Sequence, residues 1–341
     1  MNEENPREDR YEVVIIGGGA AGLSGALTLA RARRSVLVVD GGRPRNAPAA
    51  HAHGLLTRDG AAPAEILSAG RAEATRYGAE ILRGTVRTVS RPTDQAGQAG
   101  QAGQAGQADE AGFLVTLANG TAVRARRLLV ATGVTDELPG IPGLADRWGR
   151  EVLHCPYCHG WEVRDQPIAV LAAHPTLAAH QALLWRQWSS RITVLNHTAP
   201  AFEETDLRRL AARDITVTRG EVTGVELTGG TLSGVTLADG TRVPCRALVV
   251  TSRCVARAEP LAGLGLYAEE VVRDGVVLGS EIPSDFTGRT AVPGVWVAGN
   301  VGSVTEQLVA AASAGVRAGA AVNMDLIEAE TARALAEEGT A

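Results

Sequence analysis

The feature that most constrains the fold is the stretch 11–40, YEVVIIGGGAAGLSGALTLARARRSVLVVD. An apolar β-branched run is followed by glycines spaced as Gly17-x-Gly19-x-x-Gly22, then by helix-forming residues and a second apolar run that ends at Asp40. This order predicts a strand, a tight turn, a helix and a parallel strand. Glycines at such a turn let the backbone approach a pyrophosphate, whose charge the helix N-terminus favours, and the terminal acid accepts from a ribose hydroxyl. The stretch predicts a dinucleotide-binding βαβ unit, with a purely structural glycine turn as the alternative.

The same supersecondary plan occurs a second time. Residues 167–185, PIAVLAAHPTLAAHQALLW, and residues 191–198, RITVLNHT, predict a further strand, helix and strand. Each unit is followed by a β-rich region, at 80–130 and at 215–251, where Asn-Gly and Asp-Gly pairs indicate hairpin turns. Within the first region, the Gln-Ala-Gly tract at 94–112 cannot build a core, and we expect a flexible surface insertion. The chain is therefore predicted to be an α/β protein with two such units.

Composition and charge argue against several classes of protein. A length of 341 residues corresponds to about two domains. A net charge of -5 argues against a nucleic-acid partner, and no apolar run approaches the roughly 18 residues that a membrane helix needs. The charged opening MNEENPREDR lacks the apolar segment of a signal peptide and is expected to be a solvated arm. Four cysteines do not make a disulfide framework, so we expect a cytoplasmic protein in which a close Cys pair is catalytic or metal-binding.

The segment LHCPYCHGWE, residues 153–162, contains such a pair, Cys155 and Cys158, followed by His159. Haem attachment uses C-x-x-C-H, but neither an export signal nor a distal ligand such as Met is evident. A zinc site needs four ligands, and there is no second C-x-x-C; the two remaining cysteines are expected to be small buried hydrophobes near strand ends. A redox pair fits best, because cysteines three apart at a helix start face the same side and the helix N-terminus lowers the thiol pKa.

The sequence resembles the low-molecular-weight thioredoxin reductase family over nearly its whole length. The matching features are the glycine turn with Asp40, the strand end Ala131-Thr132-Gly133, the C-x-x-C pair and the closing VPGVWVAGN. The resemblance implies an α/β fold of two Rossmann-like domains. Each is a three-layer ββα domain of the FAD/NAD(P) type, and the second domain is inserted into the first. The implied division is an arm at 1–10, a FAD domain at 11–135 and 251–330, an inserted NADPH-like domain at 136–250 and a tail at 331–341.

The resemblance also implies FAD as the cofactor. Val86 would meet the adenine end, and His53 falls where the family chain passes the isoalloxazine ring. Gln307 opens the last helix, whose N–H groups favour negative charge on reduced flavin. The implied FAD contacts are Gly17, Gly18, Gly19, Ala20, Gly22, Asp40, Arg45, Asn46, His53, Val86, Ala131, Thr132, Gly133, Asn300, Gln307 and Leu308.

Two departures from the family concern the electron donor. Where the family has a second glycine-rich turn, this chain reads AAHPTL at 172–177, so Cβ atoms replace glycine and Pro175 removes an N–H donor. Where a pair of arginines binds the 2′-phosphate of NADPH, this chain reads Asn196-His197-Thr198. We therefore expect no productive NADPH binding.

A further departure is His159, which stands where the family has an acidic residue, together with Asn300 where Asp is usual. This combination is similar to the thioredoxin reductase-like dithiol oxidases that close the disulfides of gliotoxin, holomycin and romidepsin. The resemblance implies oxidation of a small-molecule dithiol, with electrons passing from the C-x-x-C pair through FAD to dioxygen and release of hydrogen peroxide. Cys155 would be the outer and Cys158 the inner sulfur, and a homodimer is implied. His159 would be the general acid/base, with a capping or packing role as the alternative.

Two other functions stay open. One is a disulfide reductase that uses NADPH or another donor on a protein disulfide, against which the altered donor site argues. The other is a non-catalytic flavin-binding protein, against which the intact thiol pair argues. A pocket for a small dithiol would draw on aromatic residues near the pair, for which ordinary core packing is the alternative. These residues are Tyr157, Trp161, Trp185 and Trp188.

Overall fold

The computed structural model describes residues 9–92, 112–273 and 275–338. The first eight residues of the predicted arm and residues 94–111 of the Gln-Ala-Gly tract lie outside these ranges. The α-helices in the described ranges are α1 Ala20–Arg31, α2 Pro63–Arg76, α3 Pro156–His159, α4 Pro175–Trp185, α5 Glu204–Ala211 and α6 Leu308–Glu338. The strands are β1 Arg10–Ile16, β2 Val36–Asp40, β3 Glu80–Arg83, β4 Val86–Ser90, β5 Phe113–Leu117, β6 Ala122–Val130, β7 Val134–Glu137, β8 Val152–Leu153, β9 Ile168–Leu171, β10 Ile192–Asn196, β11 Thr216–Arg219, β12 Val222–Thr228, β13 Thr231–Leu237, β14 Arg242–Pro244, β15 Ala247–Val250, β16 Arg253–Ala256, β17 Glu269–Arg273, β18 Val276–Glu281 and β19 Val295–Val297.

The first sheet has seven strands in the order β3-β2-β1-β6-β5-β4, and β19 pairs with β6. Strands β1, β2, β6 and β19 are parallel, so their carboxyl ends meet at one edge of the sheet. Their apolar runs are buried on both faces, as expected for a parallel sheet covered on both sides. The edge where Ile16, Asp40, Val130 and Val297 end is the place where such folds bind dinucleotides.

Helices α1 and α6 cover one face of this sheet and cross closely. A Cβ atom on Gly315 would lie 2.0 Å from the carbonyl oxygen of Ala21, so only glycine permits this approach. Helix α6 continues to Glu338 through residues 331–338, which the sequence analysis assigned to a tail. The local signal for this helix is strong, because TARALAEE is rich in helix-forming residues. Glu330, at the start of this extension, also pairs with Arg34 and Arg126, each at 2.7–2.8 Å.

The second parallel sheet has the order β11-β10-β9-β15-β8. All its strands lie between β6 and β19 in the chain, and apolar clusters cover both faces. The antiparallel hairpins β12-β13-β14 form a separate sheet, with the predicted Asp239-Gly240 turn between β13 and β14. Strands β7 and β16 pair antiparallel where the chain leaves and re-enters the first unit. The predicted fold class, α/β with two Rossmann-like units, is confirmed.

Candidate active site

A cavity of about 1250 Å³ opens at the carboxyl edge of the first sheet and reaches the Cys pair. It exceeds the range of about 300–1,000 Å³ typical of small-molecule sites, as a long cofactor together with a substrate requires. Of the site residues predicted from the sequence, only Gly22 lies outside its wall. The residues in the wall are Gly17, Gly18, Gly19, Ala20, Asp40, Arg45, Asn46, His53, Val86, Ala131, Thr132, Gly133, Cys155, Cys158, His159, Asn300, Gln307 and Leu308.

The glycine turn is held by backbone contacts that exclude any side chain. Gly17 has φ +110°, and a Cβ atom there would lie 2.3 Å from the carbonyl oxygen of Ala131. A Cβ atom on Gly22 would lie 1.9 Å from the carbonyl oxygen of Gly17. Gly22 thus supports the turn from beneath instead of facing the cavity.

The upper side of the turn is open toward the cavity. Around Gly19, which precedes helix α1, an added Cβ atom would meet nothing within 4 Å. No side chain of the described residues caps this helix N-terminus, and its first turn carries no acid, so its N–H groups and positive dipole end face the cavity. The Asp40 carboxylate lies beside Gly18, where a Cβ atom would come within 2.7 Å of it. This arrangement fits the pyrophosphate and ribose of FAD.

The opposite end of the cavity is formed by the segment before α6. The Asn300 side-chain amide donates to the carbonyl oxygens of Ser303, Val304 and Glu306 at 3.0–3.3 Å, which fixes this loop. The carbonyl oxygen of Gln307 accepts from the N–H of Ala311, which begins the hydrogen bonding of α6. The N–H groups of the first turn have no partner within the helix and remain available at this end of the cavity.

Glu306 is a cavity residue that the sequence analysis did not identify. Its Oε2 atom is buried and has no hydrogen-bond partner in the described part of the chain. Burial raises the pKa of this carboxyl, so its neutral form is favoured.

The thiol pair lies at the start of the short helix α3. Strand β8 carries the chain to Leu153 in the core, and Cys155, at the N-cap position, has extended backbone angles. The two Sγ atoms lie 3.0 Å apart, with the Cys158 thiol donating to Cys155. This hydrogen bond, with the backbone N–H groups of Cys158 and Tyr157, lowers the pKa of Cys155 to about 7 in spite of burial. The same hydrogen bond and burial raise the pKa of Cys158.

Two histidines flank the pair, and both favour the neutral form. Burial lowers the pKa of His159, and neither of its ring nitrogens has a hydrogen-bond partner among the described residues. His154 stacks on Trp148 with ring centroids 5.6 Å apart, and burial, followed by the Arg45 charge, lowers its pKa to about 4. A neutral imidazole can accept a proton from a thiol, so His159 has the state that a general base requires.

Arg45 makes a contact that the sequence analysis did not foresee. Its guanidinium forms a two-point ion pair with Asp136, at 2.8 and 2.7 Å, and the Ser252 hydroxyl donates to the same carboxylate at 2.8 Å. Burial acts to raise the pKa of Asp136, but the hydrogen bond and charge of Arg45 outweigh it and lower the pKa. The predicted FAD contact of Arg45 would therefore be made by a side chain that Asp136 already holds.

The two remaining cysteines differ from each other. Cys245 is buried at 1% exposure in an apolar cluster, as expected of a small hydrophobe. Cys254 is also buried and packs with Val134 and Val304, as expected, but its Sγ in addition lies 3.3 Å from Nη2 of Arg45 and 3.6 Å from Asp136. It belongs to a polar cluster at the cavity wall.

The aromatic residues near the pair also separate into two groups. Trp185 is fully buried in the core of the second unit, which is the packing alternative. Tyr157 is 63% exposed, lines the cavity with the thiols and meets the edge of Trp188 with centroids 5.5 Å apart. Trp161 is 66% exposed outside the cavity wall, with the Arg164 guanidinium over its ring, so Tyr157 is the residue that offers an apolar approach to Cys155.

The second βαβ turn has no glycine cradle. Ala172 is fully buried in the core, and α4 begins with Pro175 in its first turn. Nδ1 of His197 accepts the backbone N–H of Val222 at 2.8 Å, so this side chain supports the neighbouring strand. Of the positions that replace the phosphate-binding residues, Ala172 packs in the core and His197 supports a strand, whereas Ala173, Thr176 and Thr198 are exposed.

Among the described residues, no group of three or more His, Cys, Asp or Glu side chains is placed to hold a metal ion. The zinc interpretation of the cysteine motif therefore has no support in this part of the chain. None of the helices described is long and apolar enough to cross a membrane.

Comparison with known proteins places these features in a family. The family model of pyridine nucleotide-disulphide oxidoreductases matches residues 11–315. Thioredoxin reductase sirT of Leptosphaeria maculans is 30% identical over 94% of this chain and 96% of its own length. A probable thioredoxin reductase of Arthroderma benhamiae is 36% identical, but the match spans only 48% of this chain and 38% of that protein.

Solved structures agree over almost the full chain. The crystal structure of HlmI superimposes with a TM-score of 0.86, at 41% identity and 99% coverage of both chains. An oxidoreductase from Agrobacterium tumefaciens superimposes with a TM-score of 0.81, at 34% identity, covering 93% of this chain and 99% of its own. The chain therefore belongs to the pyridine nucleotide-disulphide oxidoreductase family, as a thioredoxin reductase-like member that binds FAD.

Proposed function

We propose that the chain is an FAD-dependent dithiol oxidase that forms a disulfide in a small-molecule natural product, with dioxygen as electron acceptor and release of hydrogen peroxide. The observation that best supports this proposal is the contrast between the two βαβ units. The first has an open glycine cradle and lies in one cavity with the thiol pair, whereas the second has a proline and buried alanine where a pyrophosphate would bind. Electrons that enter from a dithiol make a nucleotide donor unnecessary.

The chain's own groups support each thiol step of this reaction. In the oxidised enzyme, a substrate thiolate attacks Sγ of Cys155, the sulfur of the Cys155–Cys158 disulfide that the family resemblance assigns as the outer one. Cys158 leaves and is protonated, so that its thiol can donate to Cys155, and the second substrate thiol then displaces Cys155 and closes the product disulfide. His159, neutral and half-buried directly after Cys158, takes the proton that each substrate thiol loses and returns one of the two to Cys158. FAD, which the glycine turn and the first turn of α6 would hold, would supply the two-electron chemistry by which dioxygen reoxidises the cysteine pair.

The pKa of the pair suits this exchange. A thiol with a pKa of about 7 leaves readily in disulfide exchange and is half ionised at neutral pH. Cys155 is therefore a good leaving group when the second substrate thiol closes the ring. The reaction balances as one dithiol and one dioxygen giving one disulfide and one hydrogen peroxide.

The test is an anaerobic comparison of two electron donors on the FAD-loaded protein. We expect dithiothreitol to bleach the flavin absorbance, and hydrogen peroxide to appear in an amount equal to the dithiol consumed once air is admitted. Cys158→Ser should retain FAD and lose this bleaching. Rapid bleaching by NADPH instead would favour the alternative function, a disulfide reductase, to which the exposed Tyr157 and Trp161 offer an approach for a protein substrate.

The family resemblance supports a homodimer, and the cysteine usage supports a cytoplasmic location. Light scattering on the purified protein would give the mass of the assembly. A value of about 35.4 kDa, the mass of one chain, would refute the dimer.

A further inference from the structure

His53 lies between two carboxylates that come from distant parts of the chain. Its Nδ1 is 3.3 Å from Oδ2 of Asp59. Its Nε2 is 3.4 Å from Oε1 of Glu162, a distance at which a protonated ring pairs with the carboxylate although Nε2 forms no hydrogen bond among the described residues. Asp59 belongs to the same loop and is fixed there by the N–H of Gly54 at 2.9 Å. Glu162 follows the thiol-bearing helix α3 by three residues. The imidazole therefore joins the loop 51–61 to the segment that carries the cysteines.

The side chains around His53 differ in their exposure to solvent. The His53 side chain is 23% exposed, whereas Glu162 is 40% and Asp59 is 67% exposed. His159 is half-buried with both ring nitrogens buried, and after burial itself the charges that act on its pKa are those of Glu162, which raises it, and His53, which lowers it. The His51 ring also lies near His53, with the ring centroids 6.4 Å apart.

A base in the position of His159 must release its proton before it can act again. Neither of its ring nitrogens has a hydrogen-bond partner among the described residues, so its proton needs another acceptor or a water path. His53 lies in the wall of the same cavity and is held by groups that reach solvent. Both histidines therefore line one cavity, and the charge of His53 acts on His159.

We propose that His53 is a proton-transfer residue that acts through His159. It receives the proton that His159 takes from the substrate thiol, and it passes that proton by way of Glu162 and Asp59 to water. This inference rests on the proposed dithiol oxidase function. The substrate dithiol loses two protons and two electrons, and the same number of each is taken up when dioxygen becomes hydrogen peroxide, so no further reactant is needed.

The test uses the FAD-loaded full-length enzyme and follows anaerobic flavin bleaching by dithiothreitol as a function of pH. We expect His53→Gln to slow bleaching by about tenfold at neutral pH, less than the roughly 100-fold lower end of direct general acid–base effects because His53 acts through His159, and added imidazole buffer to restore the rate. The solvent deuterium isotope effect should rise in this variant, because proton removal becomes limiting. The matched control is His180→Gln, an exposed histidine on α4 that lies outside the cavity wall, and its rate should be unchanged.

A second variant and a second readout separate proton transfer from a structural role. Glu162→Gln alters no residue of the cavity wall, so it should keep FAD and still slow bleaching several-fold, with a shifted pH profile. The ring-proton resonance of His159 in the reduced enzyme should titrate at higher pH in His53→Gln. Unchanged pH profiles and buffer-independent rates in both variants, with wild type bleached normally, would overturn the role of His53 alone. Absence of bleaching in wild type would overturn the proposed function, and this inference with it.

Discussion

The Cys158 thiol is expected to set the reactivity of Cys155. The two sulfurs lie 3.0 Å apart, and the hydrogen bond from Cys158 is the largest influence on the Cys155 pKa, which is about 7 instead of the ordinary 9.0. Two pKa units correspond to about 2.7 kcal/mol of stabilisation of the thiolate relative to the thiol. Burial opposes this effect, and the backbone N–H groups of Cys158 and Tyr157 support it.

Cys158→Ala removes the donor and leaves burial as the largest remaining influence. We expect the Cys155 pKa to return to about 9, so that the thiolate fraction at pH 7 falls from about one half to about one hundredth. Cys158→Ser is the matched control, because its hydroxyl still donates, and the pKa should lie between the two values. The rate of alkylation at neutral pH should fall by somewhat less than the roughly 50-fold loss of thiolate, since a more basic thiolate is also more nucleophilic.

The assay is the rate of iodoacetamide alkylation of Cys155 in the anaerobically reduced enzyme, measured by peptide mass spectrometry from about pH 5 to about pH 10. Cys245 is an internal control, because burial raises its pKa to about 12 and it should stay unmodified. A midpoint near 7 in Cys158→Ala would refute the reasoning. In that case the helix N-terminus and Arg45 would be the groups that stabilise the thiolate.

Three further predictions concern stability and are measured by urea unfolding. The pKa of His154 is about 4 in the folded chain against 6.5 in the unfolded chain, so the unfolded state binds more protons between these pH values. The free energy of unfolding should therefore fall by about 3 kcal/mol as the pH drops through this window. His154→Phe should remove that part of the pH dependence. Gly315→Ala should cost about 1–3 kcal/mol, because its Cβ would lie 2.0 Å from the Ala21 carbonyl oxygen, and wild-type stability would contradict the close helix crossing. Arg45→Met should cost about 3 kcal/mol at neutral pH by leaving Asp136 unpaired, and a second change, Asp136→Leu, should recover much of the loss; equal stability of single and double variants would contradict the ion pair.

The local parts of the fold could be read from the sequence because their causes are local. Strand β1, helix α1 and strand β2 follow from apolar runs and three glycines within 30 residues, and the structure has them at 10–40. The Asn119-Gly120 turn between β5 and β6 follows from the same kind of short-range rule. The helical continuation over 331–338 was also encoded locally, and the prediction of a tail overlooked its helix-forming composition.

The polar contacts of the site could not be read in the same way, because they join distant residues. Arg45 and Asp136 are 91 positions apart, and Asp136 and Cys254 are 118 apart. No periodicity records such a pairing, and each residue alone resembles an ordinary surface charge or a buried thiol. Pairing of β7 with β16 sets Cys254 directly opposite Asp136, so this buried thiol also contacts a polar cluster.

The second βαβ unit has a structural reason to persist under the proposed function. The thiol pair follows β8, an edge strand that pairs with β15 and bridges to Trp148 through Val152. Val152 and Leu153 are buried at 0% and 1% in the clusters on opposite faces of that sheet, so the position of Cys155 depends on the whole sheet and its covering helices. The turn at 172–176 contributes packing but holds neither cysteine. A chain that receives electrons from a dithiol can therefore lose the phosphate-binding chemistry of this turn, but it must keep the nucleotide-type fold that presents the cysteines to the FAD cavity.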